Sequence, residues 1–94
     1  MQEIVAGARK YLAKRVVNLS GQSFSISQAN YVLRDEAGTE LDSGAANIAE
    51  DVVFILFNSS DFPADKIYSV VFSVEIDNSP KKLVEPIFFK IKQK

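Results

Sequence analysis

The chain has no cysteine, no histidine and no tryptophan. Without cysteine there are no disulfides, thiolate nucleophiles or thiolate metal ligands. Without histidine the Ser–His and Cys–His pairs and the usual zinc and iron ligand sets are also gone from within one chain. The remaining reactive groups are carboxylates, hydroxyls and lysines. Carboxylates hydrolyse glycosides only as an opposed pair at set separation in a cleft, which a chain of 94 residues seldom builds. The expectation is therefore a protein that is not an enzyme, with no catalytic residues, no cofactor and no metal. Asp35, Glu36, Asp42, Asp61 and Asp65 offer hard oxygen ligands, but not at the spacing of an EF-hand calcium loop.

Long hydrophobic runs are missing too. No segment approaches the roughly 20 apolar residues that span a bilayer. The first ten residues lack the basic start and apolar block of a secretory signal. The expected setting is synthesis in the cytoplasm, with no membrane partner. Glycine and proline number only 4 and 3, while apolar residues make up 47% and charged residues 24%. That balance describes one globular domain over residues 1–94 rather than a disordered chain.

The clearest pattern lies between Phe62 and Ile76. Tyr68, Val70, Phe72, Val74 and Ile76 alternate with Ser69, Val71, Ser73, Glu75 and Asp77. A period of two with β-branched and aromatic residues on one side is the signature of a half-buried strand. Upstream of it, Phe62-Pro63 and the polar corner Ala64-Asp65-Lys66 precede Tyr68. This layout resembles the tyrosine corner of immunoglobulin-like and fibronectin-type-III sandwiches, in which a tyrosine near the start of a core strand hydrogen-bonds to upstream backbone. The resemblance implies an all-β, immunoglobulin-like antiparallel sandwich of six or seven strands, with Tyr68 and Pro63 as the structural corner. With neither a cysteine pair nor a tryptophan, an antibody-type domain is excluded and the match to fibronectin modules is partial.

The segment 3–19 admits two readings. Ile4, Val5, Ala8, Tyr11, Leu12 and Val16 follow helical spacing, weakened by Gly7. An all-β domain instead favours a first strand from Lys10 to Leu19 behind a loose leader of residues 1–8, with either Leu12 and Val16 or Ala13, Val17 and Leu19 facing inward. Asn18 to Gln22 is turn chemistry. Phe24 and Ile26 then alternate in one phase and Ala29, Tyr31 and Leu33 in the other, so an extra residue is expected near Ser27-Gln28. Arg34 to Thr39 reads as a hairpin turn with Gly38 at positive φ. Glu40 to Ile48 reads as one weak strand carrying the small patch Gly44-Ala45-Ala46. Asp77 to Lys82 is a hairpin connection. The last strand, Leu83 to Lys92, places Ile87, Phe89 and Ile91 on one face and Phe88, Lys90 and Lys92 on the other. Pro86 suggests an edge position or a bulge, and outward lysines would guard such an edge against aggregation.

Val52-Val53-Phe54-Ile55-Leu56-Phe57 is apolar throughout, although a strand with one wet face should alternate. Either the even or the odd set points inward. The other set is then covered by the leader or a loop, or it meets a partner. The interface candidates are Val53, Ile55, Phe57, Phe88, Lys90 and Lys92.

Ala29-x-Tyr31-x-Leu33-x-Asp35-x-x-Gly38, followed by Ser43-Gly44-x-Ala46-x-Ile48, is similar to a pattern in small immunoglobulin-like proteins encoded in bacteriophage and prophage structural regions. With Phe62 to Ile76 it covers about half the chain. The resemblance implies a non-catalytic virion component of a head, connector or tail, assembling as a homo-oligomer or with other virion proteins. Charge is segregated along the chain: cations prevail in residues 1–30 and 81–94, and carboxylates in 31–80. Opposed charge poles suit head-to-tail contacts. The acidic middle and the lack of any recognition signature argue against nucleic acid. The alternative function is a surface adhesion or carbohydrate-binding module using Tyr11 and Phe88 as exposed aromatics.

Overall fold

A computed structural model describes residues 1–17, 24–76 and 82–93. Among them are nine strands, one 3-10 turn and no α-helix, arranged as two packed sheets. The strands are β1 (Gln2–Val5), β2 (Arg9–Arg15), β3 (Ile26–Asp35), β4 (Glu40–Ala45), β5 (Asn47–Ala49), β6 (Val52–Asn58), β7 (Lys66–Ile76), β8 (Lys82–Leu83) and β9 (Ile87–Lys92). The larger sheet runs β1-β9-β7-β3-β4, with β8 also on β7, and the smaller runs β2-β6-β5.

The pleat of β7 determines the core. Tyr68, Val70, Phe72, Val74 and Ile76 are all buried, and the residues between them are half-buried on the outer face. Ala29, Leu33, Phe89, Ile91 and Ile4 extend this inner face across neighbouring strands. Leu12, Val16, Val53, Ile55 and Phe57 meet it from the smaller sheet. At one end the rings of Phe57, Phe62, Tyr68 and Phe89 form a continuous cluster with centroids 4.9–5.9 Å apart. The Tyr68 ring is 2% exposed and its hydroxyl donates to the Pro63 carbonyl at 2.7 Å. A buried phenol needs such a partner, and this one fixes the loop entering β7.

Residues 1–8 are not a loose leader, because they hold β1, parallel to β9, with Gln2 opposite Phe89 and Ile4 opposite Ile91. Gly7, at φ 81°, then reverses the chain and β2 begins in the other sheet. A helix over this stretch would leave Ile4 without the pocket that Ile91 provides. Of the two inward sets considered for β2, Leu12 and Val16 are buried while Ala13 and Val17 are exposed. The buried Ser59 ties this turn to the end of β6: it accepts from the Ala8 amide at 2.9 Å and lies 2.8 Å from the Val5 carbonyl.

A bulge falls between Ile26 and Gln28, where Ser27 is the extra residue opposite β7. Its hydroxyl donates to the Glu75 carbonyl. In the β3–β4 hairpin, Gly38 has φ 89° and its amide donates to the Asp35 carbonyl. The segment from Glu40 to Ile48 is two strands rather than one. At Ala46, whose amide donates to the Ala29 carbonyl, the chain leaves β3 and crosses to pair with β6. Small residues permit the crossing, and the Tyr31 ring lies 3.4 Å from where a Gly44 Cβ would stand.

The last strand is not at an edge. β9 lies between β1 and β7, since β1 takes the outer position. The interruption around Pro86 separates β8 from β9, and the Val84 amide still reaches the Phe72 carbonyl. The turn expected at Asn18 to Gln22, the connection at 77–81 and the Leu19 position lie outside the described residues.

Burial and, secondarily, the charge of Asp35 hold the Tyr68 phenol above its usual 10.0. Tyr31 is raised by burial and by its bond to Asp42. The unfolded chain therefore ionises these tyrosines first. Their stabilising effect is complete below about pH 10 and is lost as pH rises further. Replacing Tyr68 with Phe keeps the ring and removes the bond to Pro63. Urea unfolding at pH 7 should show a loss of about 0.5–1.5 kcal/mol, and the alkaline decline should be shallower than in the parent protein. Equal stability at pH 7 and an unchanged alkaline limb would contradict the buried bond.

Candidate interaction surface

The apolar run of β6 separates into two faces. Val53, Ile55 and Phe57 point into the sandwich and are buried. They are core residues, which removes them as interface candidates: a side chain already enclosed by Phe89, Leu12 and the other sheet has no surface to offer a partner. The remaining set, Val52, Phe54 and Leu56, points to the outside of the smaller sheet. β1 belongs to the other sheet and so does not cover this set, of which Leu56 is exposed and Val52 and Phe54 are half-buried.

β2 completes this outer face. Tyr11 lies opposite Leu56, and Ala13 opposite Phe54. The Tyr11 ring meets the Phe54 ring edge-on at 5.7 Å. Tyr11 is 63% exposed and Leu56 49% exposed. Arg9 and Arg15 lie on the same face of β2, and the Arg15 guanidinium reaches the Asp51 carboxylate at 3.4 Å. The result is an apolar strip, part aromatic, with Arg9 at one end and the Arg15–Asp51 pair at the other. Water meets Tyr11 and Leu56 directly while Val52 and Phe54 are half-buried, an exposure that a strand with one wet face would ordinarily avoid by alternating.

Phe88, Lys90 and Lys92 lie elsewhere. They project from β9 on the outer face of the larger sheet, with Phe88 54% exposed and facing Ser69 in register. Tyr11 and Phe88 are therefore on opposite faces of the molecule and cannot grip one ligand together. Tyr68 and Pro63 are joined, as described, at the end of the core. Sequence reasoning left both halves of the run open and placed Val53, Ile55 and Phe57, not Val52, Phe54 and Leu56, among the interface candidates. The missing signal was the partner strand: once Leu12 is taken as inward, an antiparallel register placing Ile55 opposite Leu12 settles which half of the run is outside.

Charge is sorted by sides of the sandwich. The side formed by β1 and β2 carries Arg9, Lys10, Lys14 and Arg15 against Glu3 and the Arg15-bound Asp51, while the side formed by β4 and β5 carries Glu40, Asp42 and, in the following turn, Glu50, with Arg34 opposite Glu40. Asp42 accepts from the Tyr31 hydroxyl at 2.9 Å. Among the described residues no group of three or more acidic side chains is arranged to hold a metal ion, and no helix is long and apolar enough to cross a membrane. A pair of adjacent substitutions tests the face assignment. Ile55→Ala should cost about 2–5 kcal/mol in urea unfolding, and Leu56→Ala about 0.5 kcal/mol or less. Equal losses would show that the outer face is packed.

No protein-family model matches this chain, and no curated protein or solved structure matches it.

Proposed function

We propose that this chain is a non-catalytic, immunoglobulin-like assembly protein acting through protein–protein contacts between repeated copies, in the manner of a phage or prophage virion component. The strand order supports the immunoglobulin-like reading. β2-β6-β5 corresponds to strands B, E and D, and β9-β7-β3-β4 to G, F, C and C′ of that fold. The tyrosine that bonds back to upstream backbone stands at the start of the strand corresponding to F, as in that family. The virion setting rests on the resemblance carried by Ala29 to Gly38, Ser43 to Ile48 and Phe62 to Ile76.

The observation that carries the assembly role is the strip of Tyr11, Val52, Phe54 and Leu56 on the outside of the smaller sheet. An apolar centre edged by charge is the anatomy of a protein interface. A second copy of the chain is the occupant we favour, because the net charge of -1 leaves little overall repulsion between copies.

Light scattering over a concentration series tests this. The parent protein should gain mass with concentration, and Leu56→Asp should weaken association by about tenfold or more while leaving the fold intact, since a buried unpaired carboxylate costs on the order of kcal/mol. A parent protein that stays monomeric at high concentration, in both low and high salt, would remove self-assembly. Glycan binding that Tyr11→Ala abolishes would favour an adhesion module instead. Genomic neighbours encoding capsid or tail proteins are the expected setting; neighbours without any virion gene would contradict it.

A further inference from the structure

The arrangement of the two sides of the sandwich points further than association in general. β2 is an edge strand of the smaller sheet. The Ser59 amide bonds to the Ala8 carbonyl and the Val16 amide to the Asp51 carbonyl. In an antiparallel ladder this aims the backbone groups of the even-numbered residues at β6. Arg9, Tyr11, Ala13 and Arg15 therefore direct their amides and carbonyls toward the open side. Register is unbroken from Arg9 opposite Asn58 to Arg15 opposite Val52, with neither proline nor bulge. This edge is protected by cations alone.

The opposite side is built differently. β4 is exposed along its whole length and its ladder with β3 is broken by a bulge at Leu41. The Ser43 amide is taken up by the Asp42 carboxylate at 2.9 Å. These features blunt β4 against continuing a sheet, so it offers side chains rather than backbone. Those side chains are the carboxylates of Glu40 and Asp42 around the exposed Leu41, with Ile48 exposed on β5 beside Glu50.

Each side thus has an apolar centre within an excess of one charge, cationic at β2 despite Glu3 and the Arg15–Asp51 pair and acidic at β4–β5 despite Arg34 opposite Glu40, and the two signs are opposite. A two-fold contact between like sides would bring cations against cations or carboxylates against carboxylates, which costs free energy. Only unlike sides are complementary. We propose that copies associate heterologously, with the cationic β2 side of one chain seated against the acidic β4–β5 side of the next. Such a contact repeats from copy to copy and ends in a ring or a filament according to the rotation between subunits. Salt should weaken it, since exposed charges are screened over about 10 Å at 0.1 M.

This inference rests on the proposed self-assembly and specifies its geometry. Two variants test it: Arg9→Glu with Lys10→Glu on the cationic side, and Glu40→Lys with Glu50→Lys on the acidic side. All four side chains are exposed. Circular dichroism and thermal unfolding should show both variants folded. At low salt each alone should associate about tenfold or more weakly than the parent. Mixed in equal amounts, they should associate again and alternate along the assembly, because the intact sides are complementary and the two reversed sides, with both signs exchanged, are complementary as well. Either variant assembling like the parent, or a mixture that stays monomeric, would overturn the heterologous contact. If the reversals change nothing while Leu56→Asp abolishes assembly, the arrangement falls and the assembly role stands. A parent protein that never self-associates removes both.

Discussion

Burial of one face of β7 is the constraint on which the other features depend. Its inward residues, Tyr68 to Ile76 in steps of two, meet β3 on one side and β9 on the other, and the smaller sheet closes over them. Sliding β7 by one residue would exchange this face for Ser69, Val71, Ser73 and Glu75, leaving polar groups against Ile55 and Phe57. The hydroxyl of Tyr68 adds direction to what burial alone leaves free, because its bond to Pro63 sets where the incoming loop ends and the strand starts. From that fixed register follow the inward positions of β3 and β9, and then the seat that β1 takes beside β9.

Much of this was legible because alternation survives where only one face is buried. The inner sets of β7 and β9, the extra residue at Ser27 and the positive φ at Gly38 could all be read from residue types and their phase. The crossing at Ala46 was not. Gly44-Ala45-Ala46 carries little side-chain information, and nothing local distinguishes a weak strand from one that changes sheets. β1 was hidden for a related reason: a four-residue strand contributes a single buried side chain, Ile4, and its partner is more than eighty residues away. Nothing local distinguishes Ser59 from an ordinary loop serine either, although its hydroxyl binds the β1–β2 turn to the end of β6.

The run Val52 to Phe57 was the ambiguous element, and its resolution shapes the functional account. Half of it belongs to the core, so three of the six residues proposed as contacts have no surface to give. The other half leaves a centrally placed strand with an oily exterior. In the proposed assembly, the excess of opposite charge on the two sides of the sandwich supplies the orientation that an apolar strip lacks. Apolar contact supplies affinity with little direction, whereas charge complementarity discourages the wrong pairings.

Residue-resolved amide exchange at low and high protein concentration, in low salt, tests this account most directly. Within β2 the amides of Lys10, Leu12 and Lys14 are held by β6 and should exchange slowly at either concentration. Those of Tyr11 and Ala13 should exchange fast when dilute and slow markedly when concentrated, as the next copy covers the open edge. Equally fast exchange at Tyr11 and Ala13 under both conditions would show that no copy docks there, and would contradict the assembly described.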